Sequence, residues 1–250
     1  MQASGAVLFA GALLLLGRWP SLDGAVVAWG SALAMIGAGA LLFLYRGLAL
    51  GPIAVVSPIS AGYSAITVIL VVVFLGERVS VGEAVAIAVT FAGIALASTD
   101  LRQVVRLRDR PLPGVPSALV AMVGFGAWGA LMTAASRSQD ELALILVGRG
   151  AGFLFMTLLA VALRSGIPSD RRRGTLLMVL MIGAVDTIAN VLFVFGVASG
   201  AAAIVATASG MYPVVPAVLA IVFLGERLAP NQYAGVVVLI AGLVALGAQR

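Results

Sequence analysis

The chain of 250 residues contains no cysteine, no histidine and no lysine, and only 10% of its residues carry charge. Without cysteine there is no disulfide, no thiolate metal site and no cysteine nucleophile. Without histidine the commonest metal ligand and the commonest general base near neutral pH are gone. The scarcity of charge excludes an ordinary water-soluble domain, in which about 25% of residues are charged. The chain also lacks the G-x-x-x-x-G-K-[ST] loop that cradles nucleotide phosphates, so any energy for work comes from a gradient or from nowhere. The glycines of "GFGAWGA" have no phosphate-binding context and read as helix-packing contacts. What is present in quantity is apolar: 62% of residues are hydrophobic, and the mean hydropathy is +1.16. Lipid is the solvent this composition fits.

A helix needs about 20 apolar residues to cross a ~30 Å hydrocarbon core. By that measure the sequence predicts nine stretches, at residues 3–17, 24–47, 52–75, 80–98, 117–135, 141–163, 175–196, 201–224 and 231–248. Charges and turn-formers separate them, and most connections are short enough to force antiparallel neighbours. The expected fold class is an all-α polytopic membrane protein. Residues 3–17 are short for a span. A signal peptide is one reading of them, but no basic residue precedes the stretch and "LLLLGRWPSL" is a poor cleavage site.

One phrase, "VFLGER", occurs at Val73–Arg78 and again at Val222–Arg227, an offset of 149 residues. The same offset matches Gly47 with Gly196, Gly51 with Gly200, Ser60 with Ser209, Tyr63 with Tyr212, and Ala92-Gly93 with Ala241-Gly242. Matched Gly, Ser and Tyr carry more weight than matched Val or Ala in apolar segments. Five predicted crossings separate the two phrases, and an odd number puts them on opposite faces of the membrane. An inverted-topology repeat of this kind encloses a midplane site that either face can reach in turn. The halves expected are residues 1–99 and 117–250, joined by a linker at 100–116. The first half holds one stretch fewer than the second, and "QASGAVLFAGALLLLGR" aligns with the interior of "RGAGFLFMTLLAVALRSG". The expectation is that the chain lacks a first helix and part of the second. Within the phrase itself, Gly76 and Gly225 read as helix stops. Glu77 and Glu226 read as charges at the start of the next helix.

The candidate functional residues follow from cost. Asp186, inside "LMVLMIGAVDTIANVLFVF", is the one carboxylate expected at mid-membrane depth, where a charge costs about 2.5–3.5 kcal/mol. It is a substrate or proton site, or else a structural partner for an arginine. Asn190 shares its helical face. Arg149, in "LILVGRGAGFLF", is its natural partner by type. Ser57, Ser60, Ser64 and Thr67 form one stripe at spacings of three and four, read either as close helix packing or as cavity lining. Ser209, Tyr212 and the prolines at 213 and 216 are the counterpart in the second half. Tyr63, Tyr212, Trp29 and Trp128 are candidate cavity aromatics, whereas Trp19, Tyr45, Arg46 and Tyr233 read as interfacial. All fifteen basic residues are arginine. Eight of them sit at 102–110 and 164–173, and Arg46 and Arg227 share that predicted face, leaving Arg18, Arg78, Arg137 and Arg250 opposite. The positive-inside rule puts the richer face in the cytoplasm and the C-terminus outside.

The two "LGER" segments, each followed by a helix containing "AG", together with "WGALMTAASR", resemble the drug/metabolite transporter superfamily, specifically its EamA-domain proteins. The resemblance covers nearly the whole chain. It implies two inverted five-helix bundles around a central cavity, a cytoplasmic C-terminus in place of the one the charges suggest, and Trp128 at an aromatic position. The family's Ser-Pro pair before "GE" is met in part: Tyr212-Pro213 stands in the second half, while Ser64 and the earlier Pro58 stand in the first. The function implied is alternating-access transport of a small metabolite or drug, gradient-coupled or facilitative, in a bacterial inner membrane. Its partners are then a small-molecule substrate, the lipid bilayer and protons, with no nucleic acid, cofactor, metal or enzymatic activity. The alternatives are a non-transporting fragment or helper subunit, and an intramembrane enzyme using Asp186, which would need a second carboxylate.

Overall fold

The computed structural model describes residues 2–102, 104, 112–163, 173–212, 214–215 and 229–249. The second VFLGER phrase, Pro213, Pro216, part of the linker and most of the arginine-rich loops lie outside the described residues. Within them the chain is an all-α polytopic membrane protein with no strand. Its helices are α1 (Gln2–Leu15), α2 (Gly24–Leu50), α3 (Ile53–Ala61), α4 (Tyr63–Leu75), α5 (Val81–Ser98), α6 (Val115–Ser136), α7 (Glu141–Ala162), α8 (Arg173–Ala198), α9 (Ala202–Ser209) and α10 (Pro230–Gly247). Seven apolar helices are long enough to cross a membrane, one of them running from Val55 to Leu75 across the junction of α3 and α4. Seven of the nine expected stretches are therefore full spans. The first is a short apolar helix, Ala3–Leu15, and the stretch at 201–224 begins with α9 and leaves the described residues.

Helix ends follow the chemistry of their caps. Gly76 takes the left-handed conformation (φ 66°) that closes α4, and the N–H of Glu77 after it bonds the Val71 carbonyl at 3.4 Å. Ser80 and Glu83 form a reciprocal capping box that opens α5. Asp140 accepts the Ala143 N–H at 2.8 Å to open α7. The α3–α4 junction tightens at Gly62, whose N–H bonds Ile59 at 3.1 Å, four residues after Pro58.

Element boundaries respect the repeat. Shifted by 149 residues, α5 falls on α10 end for end, and α3 and α2 fall on α9 and α8 to within one residue. Packing does not follow the sequence halves, however. One compact unit comprises Met1–Ala38 with Leu131–Ser199, and the other Gly39–Ala130 with Gly200–Arg250, so each draws on both halves.

In the first unit α1 lies against α7 and α8. Gly5 permits the approach: a β-carbon there would sit 2.6 Å from Thr187 Oγ1 and 3.3 Å from the Gly183 carbonyl. Small residues replace the hydrophobic effect as the means of helix association in lipid.

In the second unit α5 and α10 form the most extensive helix pair, and they run antiparallel. Thr90 meets Gly242, Gly93 meets Leu239, and Ala97 meets Gly235. At all three glycines a β-carbon would strike the opposing backbone. The repeat offset converts the Gly93–Leu239 contact into the Gly242–Thr90 contact. It also converts Ala97–Gly235 into Leu246–Ala86, two residues of one buried cluster. The pair thus has a local two-fold lying across the helix axes. At one end the amides of Asn231 and Gln232 bond the last carbonyls of α5: Asn231 Nδ2 donates to Leu96 and Thr99 at 3.1 and 2.7 Å, and Gln232 Nε2 to Ala97 at 3.3 Å.

Candidate functional site

The first unit holds an intramembrane ion pair. Arg149 of α7 is buried, and its guanidinium donates to the Asp186 carboxylate on α8. The two side chains differ in access: 6% of the arginine's surface is exposed and 34% of the aspartate's. The carboxylate therefore neutralises the arginine on one side and keeps an open side itself. Desolvating either charge alone in lipid is expensive, so pairing is what allows both to stand there. Among the described residues, neighbouring side chains leave the carboxylate oxygens to the arginine. Asn190 Nδ2 donates to the Asp186 backbone carbonyl at 2.8 Å, and Thr187 Oγ1 to Gly183 at 2.7 Å. Asn190 thus shares the face with Asp186, but its amide serves the helix backbone. The lack of a side chain at Gly5 matters here too, since a β-carbon would lie 3.5 Å from the guanidinium.

The second unit holds a neutral polar and aromatic cluster. Tyr63, at the start of α4, donates its hydroxyl to Ser209 Oγ at the end of α9, at 2.9 Å. Its ring meets Phe125 of α6 edge-on at 5.9 Å and Tyr212 at 6.2 Å. Tyr212 is 37% exposed, and its hydroxyl reaches the Ser57 carbonyl at 3.5 Å. Ser60, Ser64 and Thr67 are fully buried. Each bonds a backbone carbonyl of its own segment, Val56, Ala61 and Tyr63 respectively. Thr67 Oγ1 also lies 3.1 Å from the Gly126 carbonyl of α6, and Ser64 packs on Gly210. Three residues of the hydroxyl stripe therefore serve close helix packing.

Trp29 is half-buried on α2 in the first unit, and Trp128 half-buried on α6 in the second. Sequence reasoning missed Phe125, for which only its place among small residues could have served as a signal. It missed Gly5 and Thr187 as well, because nothing local marks a helix-to-helix approach.

Glu77 corrects an expectation. It does not begin the next helix, because α5 opens three residues later at the Ser80–Glu83 box. Its carboxylate instead accepts the Ala203 N–H at 2.9 Å, 126 residues away, at the start of α9. The partnership of a negative charge with a helix N-terminus holds, but with a different helix. Glu226 and Gly225 lie outside the described residues.

Among the described residues no group of three or more His, Cys, Asp or Glu could hold a metal ion.

The family model described as the EamA-like transporter family matches residues 112–248, which run from just before α6 to the end of α10. One solved crystal structure is similar over 99% of this chain and 85% of its own, with a TM-score of 0.77 and 16% sequence identity, a likeness of fold alone. No curated protein matches the chain.

Proposed function

Because the chain belongs to the EamA-like transporter family, we propose that it moves a small metabolite or drug across the membrane by alternating access of two inverted halves. The membrane proposed is the bacterial inner membrane. The observation that carries the mechanism is the Arg149–Asp186 pair. In a chain without histidine, Asp186 is a carboxylate midway along α8 that can take up a proton or meet a cationic substrate group on its open side. Arg149 pairs with it on one side, and Asn190 bonds the backbone beneath it. Within the second unit, Tyr63, Ser209 and Tyr212 supply neutral hydroxyl and aromatic surface, which suits a substrate with apolar and hydrogen-bonding parts. A gradient, with protons as the coupling ion, fits an ionisable group placed at that depth.

Asp186→Asn tests this. Proteoliposomes carrying the wild type and the variant are loaded with a panel of amino acids, nucleobases and cationic dyes, and efflux is followed with and without a pH gradient. The expected result is loss of gradient-driven transport of at least tenfold in the variant, with counterflow retained. Unchanged transport and an unchanged pH profile would remove Asp186 from the mechanism.

A further inference from the structure

The offset that maps Tyr63 onto Tyr212 also maps Ser60 onto Ser209, and all four residues lie in the second unit. Two chemically equivalent bonds are therefore available there: Tyr63 to Ser209, and Tyr212 to Ser60. The structure closes the first of them tightly and leaves the second loose. Tyr63 donates to Ser209 at 2.9 Å. The Tyr212 hydroxyl is shared loosely between Ser60 and the Ser57 carbonyl, the latter at 3.5 Å, a long contact. Ser60 and Ser209 each spend their own proton on a helix carbonyl, Val56 at 2.9 Å and Ala206 at 2.8 Å, so each can serve a tyrosine only as an acceptor. The surroundings differ in the same sense, with Tyr63 half-buried between Phe125 and Tyr212, and Tyr212 more exposed.

Repeat-related residues with the same chemistry adopt different contacts when the two halves hold different conformations. In an inverted-repeat transporter, exchanging those conformations converts one facing state into the other. We propose that these four residues form an exchange latch, in which the Tyr63–Ser209 bond holds the state seen here and a Tyr212–Ser60 bond holds the oppositely facing state. The inference rests on the alternating-access reading above. It goes beyond it by assigning the two tyrosines to the balance between states. Because one phenol–hydroxyl bond replaces another, the exchange leaves the two states close in free energy. The glutamate cap at the other end of α9 keeps that helix in register with α4 while the latch switches. Removing one hydroxyl then shifts the ratio of states about fivefold, the effect of one ordinary hydrogen bond.

The test is hydrogen–deuterium exchange by mass spectrometry on the full chain in lipid nanodiscs, comparing the wild type with Tyr63→Phe and Tyr212→Phe. Both substitutions keep the ring. The latch predicts opposite shifts: peptides that exchange faster in Tyr63→Phe exchange more slowly in Tyr212→Phe, and the double variant returns to the wild-type ratio. Ser209→Ala should behave as Tyr63→Phe does, which separates the latch from any folding defect peculiar to one tyrosine. Shifts in the same direction, or none, in a wild type that populates two conformers would overturn the latch and leave alternating access standing. A wild type that shows a single conformer under every condition would overturn both.

Discussion

A single carboxylate in this chain shows how much a residue's position depends on a partner far away in sequence. Glu77 follows the glycine that ends α4, and by adjacency it belongs to the next helix; the structure gives it to α9 instead. The reason is physical. The opening of α5 is already satisfied by Ser80 and Glu83, whereas Ala201 at the opening of α9 has no side chain to accept an N–H. Glu77→Ala should therefore lower stability by about 1 kcal/mol, the usual loss for a removed cap. Glu77→Gln, which keeps an acceptor oxygen and loses the charge, should cost about half of that. Apparent melting midpoints in detergent, read side by side for wild type and both variants, check the order. Equal midpoints for wild type and Glu77→Ala would show that the cap contributes nothing. The Arg149–Asp186 pair lies at the same scale but was more legible, since a lone acid and a lone base within apolar helices have few other places to turn.

At the scale of elements, the spans were readable because lipid demands long unbroken apolar runs and closes every backbone hydrogen bond inside the helix. Which glycines are structural was not readable, because that depends on the rotation of one helix against another. Gly93 and Gly235 sit where α5 and α10 touch backbone to backbone, while Gly11 of α1 faces open space, although all three lie in similar apolar sequence. Gly93→Ala and Gly235→Ala should each destabilise by about 1–3 kcal/mol through overpacking. Gly11→Ala should be neutral or stabilising by up to about 1 kcal/mol from helix propensity. Thermal midpoints of the three single variants decide the matter, and a Gly93→Ala protein as stable as wild type would contradict the close pairing of the two helices. The hydroxyl stripe lies between these cases. Its spacing showed that Ser60, Ser64 and Thr67 share a face, but not that the face is buried against neighbours.

For the whole molecule, the governing fact is that one sequence pattern occurs twice at a fixed offset and yields matching helix boundaries. The sequence carried this through a few identities in glycine, serine and tyrosine, because the apolar remainder is interchangeable at any register. What it did not carry is that the compact units mix the halves. Contacts between repeats, those of α5 with α10 and of α4 with α9, tie the two sequence halves together within the second unit. Antiparallel mates related by a two-fold across their axes are what an inverted repeat requires, since a two-fold along the axes would leave mates parallel. The inversion makes a direct prediction about sidedness. The natural chain has no cysteine, so Arg78→Cys and Arg227→Cys, the last residues of the two repeated phrases, each introduce one thiol against no background. In sealed vesicles of known orientation, a membrane-impermeant maleimide added outside should label one variant and leave the other unlabelled until the vesicles are opened. Labelling of both from the same side would place the two phrases on one face, and two halves arranged that way could not exchange conformations to carry a substrate across.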